Sequence, residues 1–345
     1  MASRPGRKKR LTLGLQGGGS HGAFTWGVLD RLFEVDEIEI VGTSGTSAGA
    51  MNAAVMAYGL ATDGKAGARA KLAEFWQRIG EAAKLSPLQP SLLDRCLGLG
   101  NMDTSPAWLA FDNLSRMLSP YELNPMNANP LRDILADVVD FDGLSEQCSR
   151  RLVTLFLCAT NVETGRLKVF EGEEIGLDAV MASACLPYLF QAVEVNGSHY
   201  WDGGFSGNPP IFPLIYGTDC PDVLIIQINP INIEGVPKSA RAVLDRMNTL
   251  SFNSSLMREI RAIHFVTRLI DEGRLDKAHY QRLNIHTIDA EDVFKRLGVS
   301  SKINADAAFL RSLFELGRER CGQFLDAHFD KIGVESSADL EAAFL

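Results

Sequence analysis

Ile38-Glu39-Ile40-Val41-Gly42-Thr43-Ser44-Gly45-Thr46-Ser47-Ala48-Gly49-Ala50-Met51-Asn52-Ala53-Ala54 decides how this chain is read. An apolar strand pattern runs into Gly45-Thr46-Ser47-Ala48-Gly49, a G-x-S-x-G turn, and then into small helix-forming residues. Strand, tight turn and helix push the central serine out at the carboxyl edge of a sheet. Glycines flank it because a Cβ on either side would meet the neighbouring strand or helix. The helix start offers free N–H groups and a positive dipole end to a developing oxyanion. The pattern suggests an acyl-transfer nucleophile at Ser47.

Working outward, residues 10–16 read as a first strand, followed by Gly17-Gly18-Gly19-Ser20-His21-Gly22. A helix carrying Phe24, Val28, Leu29, Leu32 and Phe33 at helical spacing comes next. The β-α-β-α start argues for a parallel sheet covered by helices on both faces. Further helices are expected to about residue 60 and over 66–80. Residues 85–130 carry six prolines and read as an irregular insertion, with a helical stretch near 105–118 that includes Trp108, Leu109 and Phe111. Strands are expected at 151–160, 167–170, 189–195 and 223–229, and helices at 177–184, 238–273 and 304–329. The chain divides into a basic arm (1–9), expected to be disordered, a catalytic region (10–215) and a C-terminal strand and helices (216–345) packed on the same domain.

Composition narrows the partners. The 345 residues are 46% hydrophobic and 22% charged, ordinary for a globular protein. Arg4, Arg7, Lys8, Lys9 and Arg10 place five positive charges on the arm, yet the net charge is −9. The body is therefore acidic, which argues against nucleic acid. The six cysteines form no C-x-x-C or zinc-like spacing. Cys158 and Cys185 lie in apolar runs and read as buried hydrophobes, fitting a reducing compartment. No signal core and no run of about 20 apolar residues is visible. The expectation is a cytoplasmic protein that meets a lipid, if at all, peripherally at the inner membrane surface.

Two glycine features compete for meaning. Gly17-x-Gly19-x-x-Gly22 fits the dinucleotide fingerprint, but the second strand ends in Thr43 and Ser44 instead of the acidic residue that would hold the ribose. Backbone N–H groups of Gly17, Gly18 and Gly19, facing the serine turn across adjacent strand ends, offer an oxyanion hole instead. A nucleophilic serine also needs a base. Ser47 follows the second strand, where the Ser-Asp-His hydrolases place it after the fifth. The later histidines (His199, His264, His279, His286 and His328) occupy no convincing strand-end loop. Asp202, in Tyr200-Trp201-Asp202-Gly203-Gly204, is the other option: by pattern alone either an Asp-Gly turn or a base for a two-residue dyad.

The ordered set Gly17–Gly22, Gly45–Gly49 and Asp202-Gly203-Gly204 resembles the patatin-like phospholipases. Ala182-Ser183, Pro187 and Phe190 before the Asp-Gly-Gly, and Asn208-Pro209-Pro210 after it, extend the resemblance over roughly residues 10–215. It implies an α/β fold: a three-layer α/β/α sandwich with a mostly parallel central sheet, related to the acyl-carrier transacylases. It implies Ser47 as nucleophile, Asp202 as base, and an oxyanion hole from Gly17, Gly18 and Gly19 with Ala48 as a further donor. Gly22, Gly45, Gly49, Gly203 and Gly204 are the motif glycines, and no metal or cofactor is implied. One position departs: the family often has arginine where this chain has His21, which leaves head-group preference open. His21 itself is expected to point down the helix start. The expected activity is hydrolysis of (phospho)lipid esters. The alternatives are a carboxylesterase or thioesterase on short-chain or polyester substrates, and a non-catalytic lipid- or dinucleotide-binding protein. Helices over 85–130 and 238–273 are expected to line an acyl channel, touch a bilayer, pack in the core or form a homodimer face.

Overall fold

The structure, a computed structural model, describes residues 8–98, 100–150, 153–276 and 279–344. The expected disordered arm therefore lies mostly outside the described residues. Its last residue does not belong to it: Lys9 opens the first strand, and its ammonium donates to the carbonyl of Ile332 (2.7 Å).

The elements follow in chain order. β1 (Lys9–Leu15), α1 (Gly22–Leu32), β2 (Ile38–Thr46) and α2 (Ala48–Ala83) form the expected start. The break foreseen near residue 60 is a kink at Asp63 and Gly64 inside α2. The proline-rich stretch is more regular than expected. It forms α3 (Leu92–Leu97), α4 (Pro106–Met117), α5 (Pro120–Leu123) and α6 (Pro130–Val138), followed by α7 (Phe141–Ser149). Its prolines start helices instead of breaking them: Pro106, Pro120 and Pro130 each stand in a first turn, where no N–H is needed. Then come β3 (Leu155–Asn161), β4 (Leu167–Phe170), α8 (Leu177–Ser183), β5 (Val193–Val195) and β6 (Ser198–Asp202). The expected strand over 189–195 shrinks to its last three residues. The chain closes with α9 (Phe212–Gly217), β7 (Asp222–Ile226), α10 (Ala240–Asp271), β8 (Asn284–Ile288), α11 (Glu291–Phe294), α12 (Ala307–His328) and α13 (Leu340–Phe344).

The sheet runs β5-β6-β3-β2-β1-β7-β8, with β4 paired to β3 off this path. The β3-β2-β1-β7-β8 stretch is parallel, and β4, β5 and β6 add antiparallel pairs. Strand alternation separates two cores. Leu11, Leu13, Leu15, Leu224 and Ile226 face α1, α2 and α12, while Val223, Ile225 and Ile285 face α9, α10 and α13. This is the three-layer sandwich. β8 was not foreseen because its five residues include Asn284, His286 and Thr287. Asn284 and His286 are buried there because Asp222 pairs with the His286 ring (3.0 Å) and accepts from Asn284 (3.3 Å).

Two glycines set the contact between α1 and α12. A Cβ on Gly317 would meet the Phe24 carbonyl, and one on Gly27 would meet that of Phe314. Asp30 and Glu34 at the end of α1 then receive Arg69 and Arg318 from the two neighbouring helices. Gly317→Ala should force these helices apart at a cost of about 1–3 kcal/mol, the scale of overpacking a close contact. A thermal melt reads this directly; an unchanged midpoint would show that the crossing is slack.

Candidate active site

Ser47 stands between β2 and α2 with φ 56° and ψ −123°. A non-glycine residue at positive φ is strained by of order 1–3 kcal/mol. The surroundings hold it there. Its N–H donates to Ser183 Oγ (3.0 Å), and its carbonyl accepts the Met51 N–H (3.0 Å). A Cβ on Gly45 would lie 2.6 Å from the Gly49 carbonyl, and one on Gly49 would meet the Leu15 carbonyl. The turn therefore closes this tightly only with glycine on both sides. Ser183 is the serine that carried part of the family resemblance, and its contact gives that likeness a physical reason.

Sheet register brings Asp202 to this turn. On β3, Cys158 pairs with Thr46 of β2 on one edge and Val169 of β4 on the other. The next residue, Ala159, pairs with Lys168 of β4 and with Asp202. β6 therefore continues along the edge that β2 leaves, and Asp202 lies one strand position past Thr46, beside Ser47. The Asn196-Gly197 hairpin (φ 52° and 77°) joins β5 to β6 and fixes the pairing of those two strands.

Asp202 is completely buried. Its Oδ1 accepts the Gly204 N–H (2.7 Å), while Oδ2 has no hydrogen-bond partner among the described residues. Burial pushes its pKa up to about 6, against the lowering influence of the Ser47 hydroxyl, the Gly204 N–H and the Lys302 charge. The Ser47 hydroxyl thus acts on this carboxyl without closing a full hydrogen bond to Oδ2. Such contacts often tighten only when a substrate is bound.

The glycine run lies opposite. A Cβ on Gly17 would sit 2.5 Å from Ser47 Cβ, and Gly19 has φ +60° with the Lys302 carbonyl against it. The Gly17 N–H is not free: it donates to Asn208 Oδ1 (2.6 Å). This corrects the expected donor set, because a donor engaged at that distance cannot also face an oxyanion. Gly17 is glycine for close approach to Ser47. The N–H groups of Gly18, Gly19 and Ala48 make no hydrogen bond among the described residues, and Gly18, Gly19 and Ser47 line one cavity.

That cavity measures about 440 Å³, within the usual range for small-molecule sites. α4 contributes Trp108 and Phe111, the loop after α8 contributes Leu186 and Tyr188, and α10 contributes Leu244, Met247 and Phe252. α4 of the insertion and the long helix α10 thus line the cavity beside the serine. Tyr188 and Met247 are 69% and 60% exposed, so the mouth is rimmed by apolar surface.

The histidines stand away from this chemistry. His199 is exposed on β6 and meets Glu163, and His286 of β8 is paired to Asp222 of β7. His21 is buried, with Nε2 2.8 Å from Ser301 Oγ, and burial followed by the Lys302 charge lowers its pKa to about 3. It is neutral and cannot replace the family's arginine as a cation.

Sequence reasoning missed a polar network under the glycine run. Gln16 Oε1 accepts the N–H groups of Ile228 (2.9 Å) and Asn229 (3.1 Å), and its amide donates to the carbonyl of Asn208 (3.3 Å). Asn229 donates to the Gly17 carbonyl (2.7 Å) and accepts from Lys302 Nζ (2.9 Å). The available signal was positional: Gln16 and Asn229 are polar residues just past the carboxyl ends of adjacent parallel strands, where ligand sites of such sheets form.

Comparison with known proteins follows the same lines. The patatin-like phospholipase family matches residues 13–215, well over half of the chain. No curated protein matches. Among solved structures, VipD from Legionella pneumophila is similar at 18% identity and TM-score 0.37, over 89% of this chain and 67% of VipD. ExoU, in its heterodimeric complex with SpcU from the type III secretion system of Pseudomonas aeruginosa, is similar at 16% identity and TM-score 0.32. That match covers 96% of this chain, which spans only 53% of the matched one. The glycine run, the serine turn and the Asp-Gly-Gly all lie inside the matched stretch, and the chain belongs to the patatin-like phospholipase family.

Proposed function

We propose that this chain is a serine lipid acyl hydrolase working through a Ser47–Asp202 dyad. The observation that carries the reading is the β3 register, which sets a buried carboxyl with an unpartnered oxygen beside a serine held at positive φ. Ser47 Oγ attacks the ester carbonyl as Asp202 Oδ2 takes its proton. The oxyanion is received by the free N–H groups of Gly18, Gly19 and Ala48; one such donor is typically worth about 2.7–4 kcal/mol of barrier. The alcohol leaves with the proton from Asp202. Asp202 then deprotonates a water that hydrolyses the acyl-enzyme and regenerates Ser47. The approach of Gly17 to Ser47 and of Gly22 to Ala48 favours this use of the glycines over a dinucleotide cradle. The apolar cavity and its rim suit an acyl chain drawn from a lipid surface. No helix among the described residues is long and apolar enough to cross a membrane.

Labelling by a fluorophosphonate tests the reading. The probe should modify Ser47, and its rate should follow the ionised fraction of Asp202. With a carboxyl pKa of about 6, the rate should be level above pH 7 and fall about tenfold per unit below pH 5. Modification at another residue, or a rate that stays level down to pH 4, would count against the dyad.

A further inference from the structure

Lys302 lies outside the stretch that the family matches, yet its side chain lines the cavity of Ser47. Its ammonium donates to the amide oxygens of Asn229 (2.9 Å) and Asn248 (3.2 Å) and stands over the Phe252 ring, 5.2 Å from its centroid. An ammonium has three donors, so these two contacts leave one.

The other cations of the cavity each stand beside a carboxylate. Arg241 lies 3.3 Å from an Asp103 oxygen, an ion pair that leaves its buried Nη2 without a hydrogen bond among the described residues, and Arg116 lies 2.9 Å from one of Asp112. Lys302 forms no ion pair among the described residues; Asp202 and Asp245 act on it only through space. Partly buried charges are ordinarily paired, because desolvation is costly. Burial does lower this lysine, to about 8, so it remains mostly charged at neutral pH. A cation held by neutral amides beside a reactive serine is set for an anion brought by the substrate.

The lining mixes surfaces suited to the two parts of an ester. Trp108, Phe111, Leu186 and Tyr188 offer apolar surface for the acyl chain, and Asn248 and Lys302 offer polar groups for the alcohol part, next to the Asp245 carboxylate. Building on the hydrolase reading above, we propose that Lys302 is a specificity-determining residue that selects acyl esters carrying a phosphate on their alcohol part. It would supply, from the C-terminal region, the cation that His21 does not.

A matched pair of substrates tests this: 1-myristoyl lysophosphatidic acid and 1-myristoylglycerol, which differ only in the phosphate. Lys302→Met should lower the ratio of their kcat/KM values at least tenfold, mainly through KM, and Lys302→Arg should restore most of it. A ratio unchanged within twofold, or an equal loss on both esters, would overturn the proposal; equal loss would mark Lys302 as a counter-ion for Asp202. Competition on the wild-type protein gives a measurement independent of variant folding. Tetradecyl phosphate should block fluorophosphonate labelling at least tenfold more tightly than tetradecanol at low salt, and equal potency would also overturn it. Absence of Ser47-dependent hydrolysis of either ester would instead strike the hydrolase reading, while binding of tetradecyl phosphate to wild-type and Lys302→Met protein would still decide the role of Lys302.

Discussion

Ser47→Ala is expected to reduce ester hydrolysis by roughly 10⁴-fold or more, the scale seen when a hydrolase loses its nucleophile. The loss should be chemical and not structural. The Ser47 N–H bond to Ser183 and the Ser47 carbonyl bond to Met51 both belong to the backbone and survive the substitution. Alanine keeps the Cβ that Gly17 packs against. The melting temperature should therefore stay within a degree or two while turnover disappears. The measurement is kcat/KM on a soluble ester beside a thermal melt of the same preparation. Retained turnover in a folded variant would remove Ser47 from the mechanism.

Asp202→Asn should reduce turnover by about 10²–10⁴-fold, the usual contribution of a positioned base, and should make the protein more stable at neutral pH. The second effect follows from burial. The folded-state pKa is raised from 3.8 to about 6, so the ionised form is the one the fold disfavours. Stability linked to this group is fully present below the unfolded value near 3.8 and is lost as pH rises through about 6. An amide carries no such charge, and its oxygen can still accept the Gly204 N–H. The variant should gain on the order of 1–3 kcal/mol at pH 7–8, with the gain vanishing near pH 4. Melts across this range check it. A variant equally stable to wild type at all pH values would mean that Asp202 is better solvated than its burial implies. A variant that keeps full turnover would leave Ser47 needing another base, and none of the histidines is placed to serve.

Much of this was legible in the order of motifs. The position of the serine turn after the second strand, with a glycine run before it and an Asp-Gly-Gly far behind it, pointed to a sheet with helices on both faces. Asn196-Gly197 is a residue pair of the kind that two-residue hairpin turns require, and it joins β5 to the strand that carries Asp202. The insertion was less legible because proline was read as a helix breaker when, at first-turn positions, it starts helices. β8 does not show in the sequence because Asn284 and His286 break its apolar run, and their partner Asp222 stands 62 and 64 residues earlier.

The sequence by itself determined the strand-turn-helix at Ser47, the glycines around it and the family, because these depend on backbone sterics within a few residues of the serine. Only the tertiary structure decided which N–H groups remain free. Asn208, brought in from beyond the Asp-Gly-Gly, engages Gly17 and leaves Gly18 and Gly19. It also decided where the cation is. His21, the departure in the glycine run, is buried against Phe294 and Ser301, and that burial holds it neutral. Lys302, whose carbonyl lies against Gly19, brings an ammonium into the cavity from the C-terminal region. No local pattern could show that approach, because electrostatics at a buried site depend on which distant groups share it and on how much water they exclude.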